Sequence, residues 1–259
     1  QVAPDHQNLK KKIDKVQEMI RAAKAKSVIK ELDDEFVLVK GGCFPMGCGS
    51  WASDCSDNEK PAHETCVSDI TMGRYEVTQS LWEAVLENNP SRNKKGDKYP
   101  VERVSWEDTQ IFIKKLNEIT GKKFRLPTEA EWEYACRSGG KAEKYCGGEN
   151  LDMLGWYGGD GVGNSGGASH PVGQKRANGL GIYDMSGNVA EWCSDNYDSA
   201  YYKASPRQNP TGTLTSTERV IRGGSWYYSH RLARSTSRSG IKLENHSHDE
   251  FFGLRLVRQ

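Results

Sequence analysis

A glycine-rich stretch from Arg137 to about Gly173 constrains this chain more than any other feature. Gly158, Gly159, Gly161, Gly163, Gly166 and Gly167 crowd its second half, and so many glycines favour neither a helix nor a strand ladder. A coil this long inside a domain is expected to be functional, held by a metal, or packed by its own aromatics. The composition extends the reading: 27 glycines, 7 tryptophans and 36% hydrophobic residues suit many turns, large aromatic anchors and short elements. At 259 residues the chain can bury a real core, as one large domain or two small ones.

Several classes are excluded early. A net charge of +1 gives no overall field for nucleic acid. No apolar run reaches the roughly 18 residues of a membrane span. The first residue is Gln1, so a removed or trimmed N-terminus is expected. The seven cysteines are Cys43, Cys48, Cys55, Cys66, Cys136, Cys146 and Cys193, which leaves an odd thiol in a monomer. The spacing of the first four fits no paired C-x-x-C zinc site, so local disulfides or plain thiols are expected.

Two regions differ in grammar. Residues 1–34 read as an amphipathic helical segment, with Leu9, Ile13, Val16, Ile20 and Ala23 on one face and Lys and Arg on the other. It is expected to dock on the domain or to lead from a tether. Residues 35–259 read as the domain. "FVLVKGGCFPMG" predicts strand, turn and strand. Thr78 caps a helix whose Leu81, Trp82, Val85 and Leu86 face inward. Ser105 caps a second helix, with Ile111, Phe112, Leu116 and Ile119 inward and Gly121 as the stop. Thr128 and Glu131 form a capping box for a short third helix. "GIYDMSGNVAEWCSDNYD" predicts a short strand, a turn and a strand, and "RVIRGGSW" and "FFGLRLVR" predict the last strands.

These segments, with "GRYEVTQSLWEAV", "YPVERVSWEDTQIFIKKLN", "RLPTEAEWEYACR" and "ANGLGIYDMSGNVAEW", resemble the formylglycine-generating enzyme or sulfatase-modifying factor family. They run in family order over about Phe36 to Arg258. The resemblance implies an α+β fold of the C-type lectin kind, in its formylglycine-generating-enzyme-like subclass. Two main helices, short strands and much irregular coil are expected, with N- and C-terminal strands side by side. The family's enzymes oxidise a substrate cysteine through two copper-holding cysteines, whose positions match Tyr228 and Ala233 here. A phenol and a methyl group do not replace thiolates as Cu(I) ligands, and no cysteine follows Cys193.

A second resemblance lies within that fold. Variable proteins of diversity-generating retroelements, of the treponemal type, carry a hypervariable C-terminal segment between a GGSW turn and a G-[FL]-R-L strand. Here those brackets are Gly223–Trp226 and Gly253–Leu256, and the corresponding segment is about 227–251. The resemblance implies a non-enzymatic protein that displays a diversified surface to a protein ligand, with an inactive accessory domain, and behind it an oxidase, as the alternatives. The candidate contacts are Tyr227, Tyr228, Ser229, His230, Arg231, Ser237, Ser239, Asn245, His246, His248 and Asp249. Tyrosines offer broad contact area at low entropy cost, and the polar residues offer direction. Trp226 reads as core, the two tyrosines as one inward and one outward, and Arg222, Arg234 and Arg238 as scaffold hydrogen-bonders.

No cofactor is required by this reading. The family often binds calcium at the turn matching "SGNVAEW", which implies Glu191 as carboxylate, with Ser186, Gly187 and Val189 supplying or framing main-chain oxygens. The competing reading has Glu191 tying the turn together. A second family site would draw on Asp160 and Asn164. The sugar-binding motifs of lectins are absent, so a carbohydrate ligand is not implied. A monomer at the cell surface, tethered by lipid upstream and without a membrane span, is expected.

Overall fold

The computed structural model describes residues 4–159, 161, 163–243 and 248–259, with side chains from residue 8 onward. Helix α1 spans Pro4–Glu31. Only its last turns pack: Val28 and Ile29 lie on the core beside buried Leu32. Leu9, Ile13, Val16, Ile20 and Ala23, the apolar face read from sequence, are exposed.

Strands β1, Phe36–Val39, and β2, Gly42–Met46, follow, then β3, His63–Val67, and β4, Ile70–Gly73. Two capped helices come next. Thr78 Oγ1 accepts the Leu81 amide at 3.3 Å and opens α2, Gln79–Leu86. Ser105 and Asp108 cap each other reciprocally at the start of α3, Trp106–Thr120, which stops at Gly121 with φ of 68°. Trp82 of α2 stacks on Phe112 of α3 with ring centroids 4.7 Å apart. Each such buried aromatic contributes about 1.5–3 kcal/mol. Ile111 and Ile119, expected inward, are exposed. Ile111 sits about 100° around the helix from Phe112, and Ile119 lies in the last turn, at the end of the packed stretch.

Beyond β5, Phe124–Arg125, the Thr128–Glu131 box opens α4, Glu129–Cys136, every residue of which is buried. One short helix, α5, Leu151–Leu154, interrupts the glycine-rich coil. Strand β6, Ala190–Asn196, follows the SGN turn; the short strand expected at "GIYDM" is instead a series of bends pinned by Asn178 and Arg74. The chain closes with β7, Glu218–Arg222, β8, Arg238–Lys242, β9, Phe252–Gly253, and β10, Val257–Arg258.

Three sheets result, in the orders β1-β4-β10-β5, β2-β3 and β8-β7-β6-β9. The terminal strands share a sheet, but β4 lies between β1 and β10, because β4 pairs with both. The third sheet fixes the functional segment. Residues 223–237 connect β7 to β8, whose ladder is closed by the Arg222–Arg238 pair, and β9 pairs in parallel with β6. Disulfides join Cys43–Cys66, Cys48–Cys55 and Cys136–Cys146, while Cys193 is free and buried. Among the described residues no helix is long and apolar enough to cross a membrane.

Candidate functional site

The β7–β8 connection begins with a turn that only glycine can make. Gly223 and Gly224 have φ of 93° and 66°, and a Cβ on Gly224 would lie 2.8 Å from the Leu232 carbonyl carbon. The turn is stitched to its neighbour in the core: Gly187 N donates to Gly223 O at 2.8 Å and Trp226 N to Asn188 O at 2.8 Å. The backbone is therefore fixed before Tyr227.

Three arginines of this region, Arg222, Arg234 and Arg238, are buried. Arg234 donates to both oxygens of Glu59 at 2.7 and 2.6 Å, and Thr236 Oγ1 donates to the same carboxylate at 2.6 Å. Arg238 grips Glu129 through two bonds of 2.7 Å. Arg222 donates to Glu133 at 2.5 Å and to the Ser237 carbonyl. Burial pushes the Glu59 and Glu129 carboxyls up, yet their arginine partners outweigh it and hold both below the usual range. The scaffold role read for Arg222, Arg234 and Arg238 is thus their geometry.

The aromatic residues do the opposite. Tyr227 is 56% exposed and stacks on Phe251 with centroids 5.2 Å apart. Tyr228 is half-buried on the core, edge-on to Tyr227 and Phe251. Burial, with the Asp249 carboxylate nearby, pushes its phenol up to about 12. Trp226, read as core, is half-buried and donates its indole N–H to Glu250 O at 3.0 Å. The two tyrosines split as expected, although bends rather than a strand turn them apart.

These residues flank a groove of about 630 Å³. Its other wall is the glycine coil, with Gly158, Gly159 and Ser165 facing Tyr227, Tyr228 and Ser229. Close approach explains the glycines: a Cβ on Gly158 would lie 2.3 Å from Trp226 O. His230 enters a separate hollow of about 350 Å³ with Tyr145, Asp152 and Tyr157. Arg231 is exposed. Ser237, read as a surface contact, is buried, because it sits one residue before the Arg238 rung of the ladder. It and Ser239 line a narrow cleft of about 120 Å³ beneath Tyr228 and Leu232. His248 reaches Asp108 at 3.0 Å on the α3 side, and Asp249 is exposed. Asn245 and His246 lie outside the described residues. One groove therefore gathers Tyr227, Tyr228 and Ser229, with the Asp249 charge near Tyr228, while His230 lies in the other hollow and His248 against Asp108. Sequence reasoning missed Phe251, which reads as the start of a strand, and Glu59, which carries no sequence signal beyond its capping box with Ser56.

The calcium set takes another form. Glu191 is buried, and its carboxylate accepts Trp132 Nε1 at 2.7 Å and Arg255 Nη2 at 2.6 Å. Ser186 Oγ donates to Ala233 O at 2.8 Å, the Gly187 Cα faces Trp156 O, and Val189 N donates to Glu76 at 3.0 Å. A guanidinium thus supplies positive charge at Glu191, and the Glu191 carboxylate is bonded by Arg255 and Trp132. Arg255 and an indole, not the backbone amides of the competing reading, bond the carboxylate. Asn164 ties the glycine coil to Tyr157, Asp152 and Gly155, and Asp160 lies outside the described residues.

The sulfatase-modifying factor enzyme 1-like domain matches residues 21–259. The chain belongs to that family. Chaperone protein LppX of Paenibacillus barcinonensis is 32% identical over 275 residues, covering 88% of this chain and 90% of that one. The formylglycine-generating enzyme of Streptomyces coelicolor is 41% identical over 138 residues, but this covers 49% of the chain and 42% of the enzyme. Among solved structures, Treponema denticola variable protein 1 superposes with a TM-score of 0.77 at 29% identity, covering 86% of this chain and 94% of that one. The C-type-lectin-like, formylglycine-generating-enzyme-like scaffold is therefore established, and a variable protein is among its structural neighbours. At the family's two copper-cysteine positions stand half-buried Tyr228 and buried Ala233. The free Cys193 thiol is pushed well up, by burial first and then by Asp195 and Glu129.

Proposed function

We propose that this protein is a non-enzymatic binding module that presents the Tyr227–Tyr228–Ser229–Asp249 face, backed by Phe251, to a protein ligand. The division of labour inside one segment carries the reading. Arg234 and Arg238 lock the segment to buried carboxylates, while Tyr227, 56% exposed and stacked on Phe251, makes few commitments to the fold. Antibody-like surfaces use tyrosine in the same way. The half-buried phenol and buried methyl at the copper positions, with no reactive thiol beside them, favour binding over oxidation. The three disulfides suit an oxidising compartment such as the cell surface.

The test is genetic and chemical. Sister copies of the gene should differ within codons 227–251, at adenine-derived positions, and match elsewhere. Copies identical across that segment would leave the accessory-domain reading in its place. Copper-loaded protein should consume no oxygen with a cysteine peptide, and turnover there would restore the oxidase.

A further inference from the structure

The chain from Gly47 to Glu59 lies under all three arginines that fix the β7–β8 connection. Gly47 N donates to Glu133 at 2.9 Å, and Glu133 holds Arg222. Asn58 O accepts from Arg238 at 3.1 Å, and Asn58 Nδ2 donates to Arg238 O at 3.1 Å. Glu59 holds Arg234 through both of its oxygens. Cys48 joins the two ends of this base: its amide donates to Glu59 O at 2.8 Å, and its sulfur is bonded to Cys55. Little else braces the loop between them. From Gly49 to Cys55 a single backbone–backbone hydrogen bond is made among the described residues, Ala52 N to Gly49 O at 3.1 Å. Trp51, inside that loop, has its ring centroid 4.5 Å from the buried Arg137 guanidinium, which itself bonds Glu133.

The three disulfides differ in what keeps their sulfurs together once opened. Cys43 and Cys66 face each other in the β2–β3 ladder, with registered pairs on both sides, so their thiols stay adjacent and close again. Cys136 and Cys146 are both buried, away from a reagent in water. Cys48 and Cys55 are both half-buried and stand in no ladder, so they are reachable and free to part. Reachable disulfides are the labile, regulatory kind.

We propose that Cys48–Cys55 is a redox latch on the tyrosine face: a dithiol reductant opens this bond alone, and the backbone of 223–237 loosens as the base beneath its arginines comes apart. A thiolate of the dithiol attacks one sulfur of the bond and expels the other as a thiolate, leaving a mixed disulfide. The dithiol's second sulfur then closes its own ring disulfide and releases the remaining cysteine. Two electrons pass from the dithiol to the cystine, and its two protons end on Cys48 and Cys55. The consequence for ligand binding rests on the display role proposed above. The latch does not, and its test reads only thiols and backbone, so either can fail alone.

The whole oxidised chain is equilibrated in dithiothreitol buffers of graded reduced-to-oxidised ratio. Thiols are trapped with N-ethylmaleimide, and each cysteine is read by mass spectrometry. Cys48 and Cys55 should be half reduced at a ratio at least about tenfold lower than either other pair, a difference of about 30 mV. Where only that bond is open, the amides of 223–237 should exchange deuterium at least about tenfold faster than in the oxidised chain, while those of α3 keep their rates. Cys48→Ser with Cys55→Ser should show the fast exchange without dithiol and no further change with it. Three outcomes overturn the proposal: Cys48–Cys55 opening together with or after another pair, its opening with exchange at 223–237 unmoved, or the serine pair exchanging like the oxidised chain.

Discussion

Arg234 and Glu59 meet in a bidentate ion pair, 2.6 and 2.7 Å long, with both side chains buried. The pair ties the middle of the β7–β8 connection to a turn 175 residues earlier. Removing one partner strands the other charge in the interior, which costs about 3–5 kcal/mol. Arg234→Ala and Glu59→Gln should each lower stability by that order in urea titrations. Exposed Arg231→Ala should change it by less than about 0.5 kcal/mol. Equal effects at the two arginines would refute the separation of scaffold from display.

The same contrast applies to the adjacent tyrosines. Tyr228→Ala removes a half-buried ring from the core and should destabilise by about 1–3 kcal/mol. Tyr227→Ala loses only a stacking contact with Phe251, about 0.5–1.5 kcal/mol. Ligand capture should show the reverse order, with Tyr227→Ala the more damaging. Chemical denaturation and ligand binding on the two variants check both halves.

How much was legible follows from how local each signal is. The Thr78, Ser105 and Thr128 caps were readable because donor and acceptor lie three residues apart. The Gly223–Gly224 turn was readable because glycine freedom leaves a mark in the sequence, and so was a split of the two tyrosines, although not that Tyr227 is the outward one. The Glu59–Arg234, Glu129–Arg238 and Glu191–Arg255 pairs were not, since each joins residues brought together only by the fold. Ser237 was misplaced because serine reads alike on a surface and beside a buried guanidinium. The Arg255 contact of Glu191 was not legible because Arg255 lies 64 residues further on, between β9 and β10.

Asp195 gives the fold a pH signature. It is buried, accepts from Glu129 N at 3.0 Å and Ser194 Oγ at 3.1 Å, and its carboxyl is pushed up to about 7 by burial and then by the Glu129 charge. The unfolded value is about 3.9. The folded state therefore binds the extra proton between about pH 4 and 7, and the stability this group contributes is lost as pH rises through 7. Asp195→Asn keeps an oxygen acceptor and cannot ionise. Its stability relative to wild type should rise between pH 5 and 7, by at most about 1.4 kcal/mol per pH unit, and level off by pH 8. A flat difference across that range would refute the assignment.

Arg255 makes the last prediction sharp, because it bonds the carboxylate that the sequence reading offered to calcium. Its guanidinium bonds Glu191, and Glu76 and Asp184 lie close enough to raise its pKa further. Burial first, then the Asp184 and Glu191 charges, push the Glu76 carboxyl up, and burial first, then the Glu191 charge, push Asp184 to about 6. With Arg255 in place the carboxylates have their cation, so excess chelator should leave the wild-type melting temperature unchanged. Arg255→Ala removes the only guanidinium bonded to Glu191 among the described residues, and should cost about 3–5 kcal/mol. It also opens a hard oxygen-rich site, so millimolar calcium should raise the melting temperature of Arg255→Ala and leave that of wild type where it was. A wild-type melt that falls with chelator and recovers with calcium would show that the ion and Arg255 share the site, and would return Glu191 to the metal.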